Sequence, residues 1–283
     1  MRVLMPRTLV EALEFRAGDE GRVTPMAGGT DLLVHWPLRL DLHDGAYVDL
    51  WHVGEIRPAR WSADALELGG LTTYWDVIRD PAIRAEFPLL VDAARQVGAI
   101  QIQSRGTWAG NIANGSPAAD GVPVLMAYDA VVILASLAGR REVPLDRFYH
   151  GYKEMDLRND ELIAAIRIPR RRHDFERFIK VGSRRAQAIA KVGLALARSD
   201  AGWRVAAASV APTVRRCVAV EALLDAGARI DAPEDLLSAL RADVSPIDDI
   251  RSTAEYRERV LARVLWHAIR DTGADGDGGA SPR

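Results

Sequence analysis

The sequence predicts a mixed α+β fold with more than one domain, and three observations support this. Strand-like apolar runs and segments of helical periodicity are mixed, without the regular strand–helix alternation of a doubly wound parallel sheet. The 283 residues are enough for two domains or one large domain, with ample core. A charged run, Arg170–His173, follows a strand-like segment that ends at Pro169, which marks a domain boundary.

The elements before this boundary are short. Thr8–Arg16 spaces its apolar residues at helical intervals, with Thr8 as the N-cap. Asp31 is predicted to cap a second helix that Pro37 limits, and Gly139–Glu142 is predicted to be a turn. The other predicted elements are strands at Val23–Ala27, Ala46–Leu50, Trp61–Leu68, Val131–Ser136 and Glu161–Ile168, and helices at Thr73–Arg79 and Pro88–Val97.

The elements after the boundary are longer. Ile189–Ala197 fits either a strand or a buried helix, because an apolar run of this length has no distinctive period. The Arg170–His173 run itself is interpreted as a solvated linker in preference to a nucleic-acid patch. The remaining predictions are strands at Phe175–Val181 and Trp203–Val210, helices at Val218–Ala226, Pro233–Ala242 and Ser252–Ile269, and a disordered tail at residues 273–283.

Composition excludes several classes of function. A net charge of −2 gives no reason to expect nucleic acid as a partner, and no apolar run approaches the roughly 20 residues that span a bilayer. The single cysteine, Cys217, excludes an internal disulfide and a cysteine-bound iron–sulfur cluster. The six histidines lack metal-ligand spacing, and no catalytic triad or carboxylate pair is evident. We therefore expect a cytoplasmic protein with no metal site and no catalytic side chain of its own.

The first stretch that indicates ligand chemistry is Ala27-Gly28-Gly29-Thr30-Asp31, between a predicted strand and a predicted helix. Consecutive glycines let the backbone approach a ligand closely, and successive amides near a helix start form an anion-binding concavity. A diphosphate fits such a site, although a plain turn has the same composition. The pattern is neither GxGxxG nor a Walker A loop, so neither of those folds is indicated.

The second stretch is Gln103–Asp120, which is rich in glycine and small polar side chains and lies between apolar segments. Such a polar segment requires partners for its amides and hydroxyls, which indicates a pocket for a large polar ligand. Asp120 is placed to accept from two adjacent sugar hydroxyls, as an acidic residue does on a nucleotide ribose. Two phosphate-compatible stretches with a hydroxyl acceptor suit a dinucleotide. The alternative is an ordinary surface loop.

The third stretch is Phe178–Arg185. It contains Lys180, which is one of only three lysines among 37 basic residues. A compact cation near a flavin ring stabilises the anionic reduced form. The alternative is an edge-strand lysine that extends to solvent. Cys217 is interpreted as a small core residue because no partner histidine is evident.

Taken in order, these stretches resemble the FAD-binding medium subunit of molybdenum hydroxylases, the type found in carbon monoxide dehydrogenase and as the flavin domain of xanthine dehydrogenase. The resemblance covers nearly the whole chain. It rests on four segments: AGGTDLL at Ala27–Leu33, RGT–GNIANGSPAAD at Arg105–Asp120, DELIAAIRIP at Asp160–Pro169 and KVGSRRAQAIAKVG at Lys180–Gly193.

The resemblance implies an α+β fold with a two-subdomain FAD-binding domain of the PCMH type and a small C-terminal α+β domain with an antiparallel sheet and helices. The implied limits are residues 1–57, 58–173 and 174–272, followed by the tail at 273–283. The cofactor implied is FAD. The residues implied to bind it are Ala27, Gly28, Gly29, Thr30, Asp31, Leu32, Leu33, Thr107, Ala109, Gly110, Asn111, Asn114, Ser116, Asp120, Leu162, Ile163 and Lys180.

The chain departs from the family pattern at Ala109, where the family usually has glycine. An alanine here strains the loop by roughly 1 kcal/mol or more if the residue needs a positive φ.

The resemblance further implies an oxidoreductase subunit of a heterotrimeric complex, arranged as a dimer of heterotrimers. A molybdenum-cofactor large subunit oxidises the substrate, and a small iron–sulfur subunit relays electrons to FAD on this chain. The flavin then reduces an external acceptor such as NAD or a quinone. Two alternatives remain: a flavin oxidoreductase that acts alone, and a non-catalytic assembly subunit that has lost FAD.

Overall fold

The fold is taken from a computed structural model that describes residues 2–18, 23–36 and 45–270. The predicted tail at residues 273–283 and the helix limit at Pro37 lie outside these ranges. The described elements form a parallel sheet, two antiparallel sheets and one hairpin. No helix within these ranges is long and apolar enough to cross a membrane.

The N-terminal unit is a three-stranded parallel sheet in the order β1-β3-β2. Its elements are β1 (Arg2–Leu4), α1 (Leu9–Gly18), β2 (Thr24–Met26), α2 (Leu32–His35) and β3 (Ala46–Asp49). The predicted N-cap of α1 is confirmed, because Thr8 Oγ1 accepts from Glu11 N at 3.2 Å. The buried face of α1 shares an apolar core with Leu162 and Ala164 of the second sheet.

The middle unit is a five-stranded antiparallel sheet in the order β4-β5-β10-β6-β7, with helices packed against it. Its strands are β4 (Arg60–Trp61), β5 (Ala65–Gly69), β6 (Val131–Ser136), β7 (Gly139–Pro144), β8 (Tyr149–Gly151), β9 (Glu154–Met155) and β10 (Leu162–Pro169), where β8 and β9 form a separate hairpin. Its helices are α3 (Tyr74–Arg79), α4 (Pro81–Glu86), α5 (Pro88–Gln96), α6 (Ile100–Gln103), α7 (Trp108–Asn114) and α8 (Gly121–Ala127).

The C-terminal unit is a four-stranded antiparallel sheet, β11-β12-β13-β14, covered by helices. Its elements are β11 (His173–Val181), β12 (Val192–Ser199), β13 (Gly202–Ala208), β14 (Arg215–Arg216), α9 (Val218–Asp225), α10 (Leu237–Asp243) and α11 (Ala254–Arg270). Leu194 and Leu196 of β12 face the C-terminal helices, whereas Ala195 and Ala197 pack toward the middle unit. Because β12 is buried on both faces, its residues are almost continuously apolar, and the Ile189–Ala197 sequence also fitted a helix. The structure shows that it forms a strand from Val192 onward.

Several sequence predictions are wrong in detail. Trp61–Leu68 is not one strand, because Ser62 N bonds to Ala65 O at 2.9 Å and turns the chain between β4 and β5. The predicted turn at Gly139–Glu142 is instead the start of β7, which pairs with β6. Gln103–Asp120 contains a helix, α7, which its glycines and asparagines had concealed. The domain limits given by the resemblance stay predictions.

Asp129 joins the middle and C-terminal units. Its carboxylate accepts from Arg171 at 2.5 Å, from Arg204 at 2.9 Å and from Arg216 at 2.9 Å. Burial opposes ionisation of this carboxyl, but the hydrogen bonds and charges of the three arginines together hold its pKa below the usual range. Arg170 pairs with Glu86 at 2.5 Å, so the charged run forms ion pairs with the middle unit.

Candidate functional site

The two glycine-rich stretches contact each other through their backbones. A Cβ atom on Gly28 would lie 1.8 Å from the carbonyl oxygen of Arg105, so only glycine fits there. A Cβ on Gly106 would lie 3.4 Å from Thr30 Oγ1, which places the next residue of the second stretch beside the first. The sequence indicated that these stretches are the two halves of one cradle, and the structure brings them into contact.

The first stretch turns directly from β2 into α2. Gly29 has a φ of 72°, and its carbonyl accepts from Leu33 N at 2.9 Å. The expected helix cap by Asp31 is wrong, because its backbone is already helical and its side chain bonds to no amide of α2. The Asp31 carboxylate instead accepts from Asn114 Nδ2 at 3.1 Å, which ties the first stretch to the end of α7.

The amides of Gly28, Gly29 and Thr30 have no hydrogen-bond partner among the described residues. Three successive donors of this kind are unusual in a folded chain, where backbone amides are nearly always paired. They line an open cavity. A run of unpaired amides is suited to an anionic ligand, because each N–H carries a partial positive charge.

The second stretch is held by the segment that begins α3. Trp108 N donates to Thr72 O at 3.2 Å, and Tyr74 N donates to Gly106 O at 3.1 Å. Thr107 is the N-cap of α7, since its Oγ1 accepts from Gly110 N at 2.9 Å. A Cβ on Gly110 would lie 2.8 Å from that same hydroxyl oxygen, so the cap requires glycine at this position.

Ala109 lies inside α7 and is not among the described residues with positive φ. The strain considered from the sequence therefore does not arise. Alanine is the better helix former, and a glycine here would cost roughly 0.5–1 kcal/mol. Its side chain is buried in the core of the middle unit and also lines the cavity.

The cavity between the two stretches has a volume of about 610 Å³. This lies within the range of about 300–1,000 Å³ that is typical of small-molecule and cofactor sites. Thirteen of the seventeen expected cofactor residues line it: Ala27, Gly28, Gly29, Thr30, Asp31, Leu32, Thr107, Ala109, Gly110, Asn111, Asn114, Leu162 and Ile163. The pairing of β10 with β6 and β5 brings Leu162 and Ile163 to its wall.

Four expected residues do not line this cavity. Leu33 is exposed on α2, and Ser116 Oγ accepts from Ala118 N at 3.2 Å within its own loop. Asp120 and Lys180 form a buried ion pair at 2.6 Å, and Lys180 also donates to the carbonyl oxygen of Gln96 at 2.9 Å. Burial raises the pKa of Asp120 and its partner Lys180 acts in the opposite direction.

The sequence missed other residues of the cavity wall, among them Arg16, Tyr74, Lys153 and Glu161. Tyr74 is buried, and the apolar pattern of its helix gave no sign of a binding role. Lys153 is in the left-handed region, with φ 57°, in the β8–β9 turn that packs on Gly115. Arg16, Tyr74 and Lys153 belong to no motif, and only the fold places them at the cavity. Glu161 lies in the DELIAAIRIP segment, but the sequence indicated no binding role for it.

These features fit the FAD that the resemblance implies. A Cβ cannot be accommodated at Gly28, the amides of Gly28, Gly29 and Thr30 are unpaired, and the cavity has the size of a cofactor site. Its wall combines backbone donors with apolar side chains such as Leu162 and Ile163, as a dinucleotide with a flat ring system requires. Within the described residues, no group of histidine, cysteine and acidic side chains could hold a metal ion.

Comparison with known proteins gives family matches over nearly the whole chain. The family model described as the FAD binding domain in molybdopterin dehydrogenase matches residues 1–171. A second model, described as the CO dehydrogenase flavoprotein C-terminal domain, matches residues 177–272.

The chain aligns with individual relatives over nearly the full length of both proteins. The xanthine dehydrogenase FAD-binding subunit of Escherichia coli O157:H7 is 29% identical, with 96% of this chain and 95% of that protein covered. The carbon monoxide dehydrogenase medium chain of Hydrogenophaga pseudoflava is 28% identical, with 93% and 94% covered. A solved carbon monoxide dehydrogenase from that organism, which lacks the Mo-pyranopterin moiety of the molybdenum cofactor, superimposes with a TM-score of 0.88 at 28% identity and covers 97% of each chain.

Proposed function

Because this chain belongs to the family of FAD-binding domains of molybdopterin dehydrogenases, we propose that it is the electron-transferring flavin subunit of a molybdenum-containing hydroxylase complex. The chain is an FAD-binding oxidoreductase subunit, as the matched domains and the named dehydrogenase relatives establish. The route of the electrons, the partners and the individual cofactor contacts are the proposal.

The run of unpaired amides at Gly28, Gly29 and Thr30 carries the assignment of the cofactor cradle. We assign the diphosphate of FAD to these amides, because they offer directed donors without a bulky side chain in the way. The contact with Arg105 fixes the first stretch, so the donors are held in place before the cofactor binds. Preorganised donors of this kind reduce the entropy cost of binding.

The remaining cavity residues divide into polar and apolar contacts. We assign Asn111 and Asn114 to the ribityl and ribose hydroxyls, and Leu162 and Ile163 to the flat ring system, because all four line the cavity. Lys180 and Asp120 form an ion pair and do not line the cavity. We retain the Lys180 charge as an influence on the flavin, since a nearby cation favours the anionic reduced form.

The bound FAD would supply the redox chemistry: it takes electrons that arrive in single steps and passes them on to a two-electron acceptor. The chain itself binds the cofactor, orients it and shields it from water. No side chain needs to act as an acid or a base. We propose that electrons come from iron–sulfur clusters of a small partner subunit and originate at a molybdenum-cofactor large subunit. The acceptor is external and of the NAD or quinone class.

Two other functions make different predictions. A flavin enzyme that acts alone would bleach its own flavin when its substrate is added to the isolated chain. An assembly subunit without FAD would take up no flavin. The test is to purify the chain with and without the proposed large and small partner subunits, and to measure flavin content and substrate-driven reduction. We expect flavin in both preparations and reduction only in the complex. Reduction in the isolated chain would contradict the proposal.

A further inference from the structure

Tyr74 is a buried tyrosine whose hydroxyl has no hydrogen-bond partner among the described residues. Only 3% of the residue is exposed, and it lines the cavity between the two glycine-rich stretches. Its oxygen is not among the fully enclosed unpartnered atoms, so it retains access to the cavity. Buried hydroxyls without a partner are rare in folded proteins, because the lost hydration costs free energy.

The position of this hydroxyl is fixed by its surroundings. Tyr74 N donates to Gly106 O at 3.1 Å, and the tyrosine ring packs against Trp108 at 5.0 Å between centroids. Thr73, the N-cap of the same helix, forms a β-bridge with Thr107. The hydroxyl therefore cannot swing away to find a protein partner, because both the backbone and the ring are held by the second stretch.

Burial, together with Asp120 and Tyr149, raises the pKa of the Tyr74 phenol, so it stays protonated throughout the physiological range. Without a ligand, water in the cavity can bond to the phenol. A dinucleotide that fills the cavity excludes this water, and the hydroxyl then needs a partner on the ligand itself.

We propose that the Tyr74 hydroxyl is a direct hydrogen-bonding contact to FAD at the inner wall of the cavity. This rests on the proposed function, since FAD is the ligand. The contact adds a side-chain group to a cradle otherwise formed largely by backbone amides. The affinity for the cofactor would therefore depend on the second stretch, because that stretch positions the tyrosine.

The test is a Tyr74→Phe variant of the full chain, which removes only the hydroxyl and keeps the ring against Trp108. FAD is titrated into apoprotein by flavin fluorescence, and the unfolding temperature of the apoprotein is measured alongside. We expect the Kd for FAD to rise about tenfold, the usual effect of losing one well-made hydrogen bond. We expect the apoprotein to unfold at an unchanged or higher temperature, because the hydroxyl bonds to no protein group among the described residues.

Tyr149→Phe is the matched control. Its hydroxyl donates to the carbonyl oxygen of Ile112 at 2.9 Å and is not part of the cavity wall. We expect this variant to lower the unfolding temperature and to leave the Kd for FAD within about twofold, since it loses a protein–protein hydrogen bond.

Three outcomes would overturn the proposal. One is an unchanged Kd for FAD in Tyr74→Phe while the parent chain binds FAD, which refutes the contact and leaves the proposed function intact. Another is an equal loss of affinity in both variants, which indicates general loosening of the site. The third is a parent apoprotein that takes up no FAD, which removes the proposed function together with this contact.

Discussion

A Gly28→Ala substitution is the sharpest perturbation of the cradle, because a single methyl group is placed against the backbone. The new Cβ would lie 1.8 Å from the carbonyl oxygen and 2.5 Å from the carbonyl carbon of Arg105. Neither atom belongs to a flexible side chain. One of the two stretches must therefore move by about 1 Å or more to restore an ordinary contact.

The size of the effect follows from overpacking. Forcing a methyl group into closely packed surroundings costs about 1–3 kcal/mol, and a clash with backbone lies at the upper end. For a chain of this size, about 3 kcal/mol corresponds to a fall of roughly 6–12 °C in the unfolding temperature. The displacement also separates the amides of the first stretch from the cavity, so we expect FAD to be lost on purification.

The assay is the flavin content of purified protein, together with its unfolding temperature. Gly54→Ala is the control, since a Cβ there meets no atom within 4 Å and the residue has an ordinary φ. We expect the control to retain parental flavin content and stability. Stoichiometric flavin in Gly28→Ala would show that the first stretch does not bind the diphosphate.

Three further predictions concern stability, and each is measured by urea unfolding. Ala109→Gly is expected to lower the free energy of unfolding by about 0.5–1 kcal/mol, because the residue is helical; a gain in stability would indicate strain after all. Asp120→Asn and Lys180→Met are each expected to cost about 3 kcal/mol by leaving a buried partner unpaired, and the double variant should cost less than the sum; simple additivity would refute the coupling. Asp129 has a φ of 52°, which asparagine also tolerates, but Asp129→Asn should cost about 2 kcal/mol at pH 7, because it removes the charge that three arginines share. Since the folded pKa of Asp129 lies below its ordinary value of 3.8, its contribution is present above that pH and is lost as the pH falls. The variant and the parent should therefore converge in acid, and a constant difference would contradict this assignment.

The sequence was sufficient for the family, the cofactor and most elements, because these depend on local composition. Glycines at Gly28, Gly106 and Gly110 mark places where the backbone approaches another group, and Gly29 marks a positive φ. The apolar periods of α1 and β6 reflect burial that the structure confirms. The resemblance itself rested on several ordered motifs.

What the sequence did not reveal depends on contacts between distant residues. Gly28 was expected to admit the diphosphate, and nothing in the sequence indicated that its Cα also packs on the backbone of Arg105. Asp31 was expected to cap a helix, but its carboxylate bonds to Asn114, 83 positions away. Tyr74 carries no motif, and only the pairing of Gly106 with its backbone places it at the cavity. Lys180 and Asp120 lie on different units, so their ion pair could not be read from either segment alone.

The most direct test of the central claim is the amount of flavin bound by the purified chain. Oxidised flavins absorb at about 450 nm, so the absorbance there gives the ratio of FAD to protein. A cavity built by the two glycine-rich stretches predicts one FAD per chain, retained through purification or restored by adding FAD to apoprotein. A folded chain that remains colourless with excess FAD would contradict the account.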